Sequence, residues 1–134
     1  MMALLFLSVI QPVAADVVVI VNLDNPVDHL TREQVIDIYM GRYTHFPNGQ
    51  IAAPIDMDPE SPVRVAYYQK LVNKTVAQIN SFWARLLFTG RATPPQVAPD
   101  AKAVTNVVMH NRGAIGYVDS LSLNDNVKVV YRLP

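Results

Sequence analysis

In the stretch Ile51–Leu71 the carboxylates Asp56, Asp58 and Glu60 are followed by Ser61 and, three residues on, Arg64. The stretch reads as a strand over Ile51–Asp56, a polar turn over Met57–Glu60 and a helix that opens at Ser61-Pro62. Ser is a favoured helix cap, and Pro is tolerated at the first helical position because its missing N–H has no partner to lose. At such a start the free backbone N–H groups and the positive end of the helix dipole face the loop, an arrangement that suits an anion. Arg64, one turn in, is placed either to lean toward the same spot or to pair with Glu60 four residues earlier for roughly a few tenths of a kcal/mol. Taken alone, Ser61 reads first as a cap. The three acids oppose a dianion unless one of them accepts a proton that the anion carries. They also offer oxygen ligands to a hard cation, but the Gly and the spaced bidentate Glu of a calcium loop are missing.

Other chemistries find less support. The chain has no cysteine, which removes disulfides, thiolate metal sites and a Cys nucleophile. His29, His45 and His110 form no His-x-x-x-His pair, so neither a zinc site nor a hydrolase triad is indicated. Gly113 and Gly116 precede a strand, unlike the glycines of a phosphate-cradling loop. Eleven basic residues balance eleven acidic ones, and no basic excess or RNA-binding aromatic pattern points to nucleic acid. The sequence therefore predicts no enzyme, no metal and no cofactor.

The elements that would position this junction follow from pattern. Asp16–Asn22 is a β-branched run, expected as a strand buried on both faces. Thr31 with Gln34 and Thr75 with Gln78 form capping-box patterns at the starts of two helices. The first carries Val35, Ile36, Ile38, Tyr39 and Met40 and stops at Gly41. The second carries Ile79, Phe82, Trp83, Leu86, Leu87 and Phe88, the heaviest apolar stripe in the chain, expected to be core. In the helix after Ser61 the apolar face is expected at Val65, Tyr68 and Leu71/Val72. Arg91–Pro99 reads as a loop, Asp100 opens a helix, Ala114–Val118 is a short strand, and Asn126–Arg132 is a last strand with Val127, Val129 and Tyr131 on one face. The order β-α-β-α-α-α-β-β predicts an α/β domain with a mixed central sheet of four to five strands flanked by helices.

The first fifteen residues, MMALLFLSVIQPVAA, carry no side-chain charge. The run Met1–Ile10 is too short to span a bilayer. Val13-Ala14-Ala15 before Asp16 matches the cleavage region of a secretory signal peptide, although no Lys or Arg precedes the apolar run. The alternative is a buried first strand or helix. The expected organisation is a signal peptide over 1–15 and one domain over 16–134, exported or periplasmic.

Four segments, LTREQVIDIYMGRYTHFPNGQIAAPIDMD, SPVRVAYYQKL, FWARLLFTGRATPP and NRGAIGYVD, together resemble the substrate-binding proteins of phosphate ABC transporters. More closely, the chain resembles short single-lobe members of that type II periplasmic binding protein-like group, from about Val17 to Val130. In full-length relatives two α/β lobes close over phosphate, and a strand–turn–helix junction supplies an Arg, a Ser and a Gly-Thr pair. The resemblance puts that junction at Asp56–Arg64, with Ser61 at the family's Ser. Pro62 and Val63 stand where Gly and Thr are expected, and Ile55 or Asp56 where the Arg is expected. It implies ligand-binding roles for Ser61, Val63, Asp58 and, as a substitute cation, Arg64. The implied ligand is phosphate or another small oxyanion, and the implied partners are an ABC transporter permease, or a second lobe or copy. The alternative is a ligand-free protein-interaction domain that docks through the face a second lobe would cover, with Tyr43 and Phe46 as candidate contacts.

Overall fold

The computed structural model describes residues 16–134; the expected signal peptide lies outside the described residues. Five strands form one mixed sheet in the order β3-β2-β4-β1-β5. They are β1 (Val17–Asn22), β2 (Ala53–Met57), β3 (Gln96–Ala98), β4 (Ala114–Asp119) and β5 (Val127–Leu133). β1 runs antiparallel to both β4 and β5, whereas β2 runs parallel to β3 and β4. The helices are α1 (Arg32–Tyr39), α2 (Pro62–Val72), α3 (Val76–Phe88) and α4 (Ala101–His110).

Every residue of β1 is buried, as its unbroken β-branched run predicts for a strand covered on both faces. Alternation along β4 shows what covers each face. At Gly116 there is no room for a side chain: a Cβ there would lie 2.5 Å from Val104 Cγ1 and 3.3 Å from Val108 Cγ2, both on α4. One residue on, Tyr117 points to the opposite face and stacks on Tyr67 of α2, with ring centroids 3.8 Å apart. α4 thus seals one face, and α1 and α2 the other, with α3 packed against α2. Buried polar groups tie the layers. The Asn22 amide donates to the Val108 and Met109 carbonyls, and Tyr39 Oη lies 2.9 Å from the Ile55 carbonyl and 3.1 Å from that of Ile115.

The caps form as their sequence patterns predict. Thr31/Gln34 and Thr75/Gln78 make both bonds of the capping box, and Gly41 leaves α1 at φ +75°. Four details differ from the sequence expectation. β2 starts at Ala53, because Ile51 makes an isolated bridge to His45. The Arg91–Pro99 loop contains β3, whose Gln96–Ala98 pairs with Ile55–Met57. In β5 the register slips between Val19 and Ile20, so that Val130 is an extra residue; Val127, Val130 and Leu133 are buried, and strict alternation is lost. Finally, α3 buries only Ile79 and Trp83, and Leu87 and Phe88 at its far end stand in solvent.

Candidate functional site

β2 ends in a buried acid. Asp56 is 4 % exposed, and its carboxylate accepts from the Met57 amide at 2.8 Å, from Tyr68 Oη at 2.7 Å and from Tyr117 Oη. The buried face of α2 is Arg64, Tyr67, Tyr68 and Leu71; Tyr68 and Leu71 are buried as expected, whereas Val65 is 43 % exposed and Arg64 takes the inward position. Arg64 therefore turns inward. Its Nε sits 3.4 Å from both Asp56 oxygens, its Nη2 donates to Asn80 Oδ1 at 2.9 Å, and its guanidinium lies over the Tyr68 ring at 5.3 Å. Its pairing is with Asp56 and not with Glu60. Burial pushes the Tyr39, Tyr67, Tyr68 and Tyr117 phenols well above their usual range. The Asp56 charge beside Tyr39, Tyr68 and Tyr117 pushes in the same direction. This network locks the end of β2 to the first turn of α2.

Above that lock lies an open cleft of about 380 Å³. Asp58, Glu60, Ser61, Pro62 and Val63 line it from the β2–α2 side. Pro99, Asp100 and Ala101 line it from the start of α4, and Asp119 from the end of β4. Two helix N-termini thus border one space. Their first N–H groups have no intrahelical acceptor, although Pro62 removes one donor from the set. Ser61 Oγ accepts from the Arg64 amide at 3.5 Å, a long contact, and donates to Met57 Sδ at 3.5 Å, a weak acceptor. Asp58 shapes the turn by accepting from the Glu60 amide, and Asp100 caps α4 by accepting from the Ala103 amide. Asp119 accepts from Ser122 Oγ at 2.7 Å.

Of the residues expected at the site, Asp58, Ser61 and Val63 line this cleft, and Arg64 does not. Asp100 and Asp119 had no signal tying them to Ser61, because the fold brings them there from distant parts of the chain. Lys102 borders a neighbouring cleft of about 670 Å³ that shares Pro99, Asp100 and Ala101 with the first. Tyr43 and Phe46 do not flank Ser61. Phe46 is fully buried, and the cleft that Tyr43 lines with Ile38, His45 and Pro47 shares no residue with that of Ser61. Among the described residues no His, Asp and Glu group is arranged to hold a metal ion, and no helix is long and apolar enough to cross a membrane.

No family model and no curated protein matches the chain. Solved structures do. An ABC-type phosphate transport receptor from Vibrio cholerae superposes with a TM-score of 0.69 at 24% identity, over 87% of this chain and 46% of the receptor. The fold is periplasmic-binding-protein-like. A Clostridium perfringens protein assigned as a phosphate ABC transporter substrate-binding protein, with bound phosphate, matches at 0.69 and 23% identity over 87% of this chain and 45% of its own. PstS from Borrelia burgdorferi matches at 0.65 and 16% identity, over 87% and 47%. This periplasmic-binding-protein-like lobe thus spans just under half the length of each of these three proteins, of which the first is described as a transport receptor and the second as a substrate-binding protein.

Proposed function

We propose that the chain is an exported, non-enzymatic solute-binding module for phosphate or a similar protonated oxyanion, acting beside ABC-type uptake. The observation that carries this reading is the meeting of two helix N-termini, those of α2 and α4, in one cleft on a fold shared with phosphate receptors. In this reading the Ser61 hydroxyl and the Val63 amide donate to the anion, and Asp58 accepts its proton. Arg64 acts as a positioning residue, bracing the junction through Asp56. Lys102, on the neighbouring cleft that shares Pro99, Asp100 and Ala101, is a candidate cation on the α4 side, and a second lobe, a second copy or the permease covers the open face.

Among the described residues no Arg, Lys or His lines the Ser61 cleft, which favours a second reading, a lobe that docks a protein partner and holds no ligand. Thermal unfolding with millimolar phosphate, and with sulfate as control, separates the two. A ligand that binds only the folded state at a hundred times its dissociation constant adds about 2.7 kcal/mol. A rise specific to phosphate and lost in Ser61→Ala supports the solute-binding module. No rise, or an equal one with sulfate, replaces it with the docking domain.

A further inference from the structure

Between Glu60 and Asp100 the sequence contains no acidic residue, while Arg64, Lys70, Lys74, Arg85 and Arg91 are all basic. Arg64 is consumed in the core by Asp56, and none of the other four makes an ion pair among the described residues. The chain is neutral as a whole, so the run from Ser61 to Pro99 is a local excess of positive charge, which includes α3.

α3 presents that surface as a defined face. At about 3.6 residues per turn, Gln78, Ser81, Phe82, Arg85 and Phe88 fall on one arc, opposite the buried Ile79 and Trp83, and Lys74 lies just before the helix. Lys74, Phe82 and Arg85 line one shallow hollow on this arc. One turn beyond Arg85, Phe88 is 93 % exposed, and its neighbour Leu87 is 56 % exposed. Arg91 follows just after the helix end and is also exposed. Phe88 thus stands free at a helix end, between Arg85 and Arg91 in a stretch of sequence with no acidic residue. It suits insertion into a soft, negatively charged boundary, where apolar side chains reach the acyl region and long cationic stems extend to the headgroups.

We propose that the outer face of α3 docks on an anionic lipid surface, with Phe88 entering the headgroup–acyl boundary and Lys74, Arg85 and Arg91 facing lipid phosphates. The inference does not depend on what the Ser61 cleft binds. The test is sedimentation of the full chain with phosphatidylcholine vesicles, with and without phosphatidylglycerol. The chain is expected to bind the anionic vesicles and to be released as salt rises. Arg85→Gln and Arg91→Gln are each expected to lower partitioning about fivefold, and Phe88→Ser about tenfold. Leu121→Ser, at a separate position 84 % exposed on the Ser120–Ser122 turn, should leave it unchanged. All four sites are exposed, and circular dichroism checks that each variant is folded. Equal binding to neutral vesicles, or full binding by Phe88→Ser and the Arg variants, overturns the proposal. Capture by polyglutamate without vesicle binding overturns it in favour of an acidic protein partner.

Discussion

Arg64 of α2 and Asp56 of β2 form a buried ion pair, each about 5 % exposed, at the point where the strand hands the chain to the helix. Removing one partner strands the other's charge out of water. Arg64→Met and Asp56→Leu alone are each expected to cost roughly 3–5 kcal/mol. The double variant should lose clearly less than the sum, since it leaves neither charge unpaired. Urea unfolding of the four proteins measures the coupling; strict additivity would mean that the two side chains do not depend on each other.

The four buried phenols set an alkaline limit. Below about pH 10 both the folded and the unfolded chain keep these protons, and stability does not depend on them. Above it the unfolded chain releases protons that the folded chain retains, because burial raises the folded values. Stability should therefore fall as pH rises past about 10, by roughly 1.4 kcal/mol per pH unit for each phenol. Ultraviolet titration should show the tyrosinate signal of these four appearing together with unfolding. Gradual ionisation in a folded protein would contradict this.

Gly116→Ala should loosen α4. The added methyl would sit 2.5 Å from Val104 Cγ1, so the helix must shift away from β4. An overpacking cost of about 1–3 kcal/mol is expected. Because Asp100 and Ala101 at the start of α4 border the Ser61 cleft, any phosphate response should weaken along with stability. Calorimetry with and without phosphate reads both effects, and an undiminished response would separate α4 from the site.

Asp58→Asn tests the proton-accepting role. An amide donates where a carboxylate accepts, so the variant should lose phosphate response and gain sulfate response, since sulfate carries no proton near neutral pH. Unchanged discrimination between the two anions would remove Asp58 from that role.

Much of this architecture is legible in the sequence where the determinants are local. Thr31/Gln34 and Thr75/Gln78 announce their helices through side chains three residues from their own backbone targets. The β1 run announces double burial by composition alone. What escapes is settled between elements. Arg64 looks like the polar side of α2, and its acceptance into the core depends on Asp56, a residue on another element. Three-residue β3 is too short for periodicity and exists because Ile55–Met57 offers it a ladder. The apolar stripe of α3 continues past the point where the fold supports it, so Leu87 and Phe88 are outside while Ile79 and Trp83 of the same pattern are inside. The site divides in the same way. Asp58, Ser61 and Val63 are neighbours in the chain and were readable as a unit, whereas Asp100 and Asp119 join them only through the sheet order.

β1 is paired on one side with β4 and on the other with β5, so the first strand of the sheet has the last two as its partners. During synthesis Val17–Val21 emerges with nothing to pair with, and its ladders cannot close until nearly the whole described chain has been made. Such distant pairings are slow to form, because the intervening loop must be closed before any contact rewards it. β1 therefore stays without its ladder partners until β4 and β5 have been made. Over the same interval the nascent chain displays a sticky β-branched segment that a holding chaperone would need to cover.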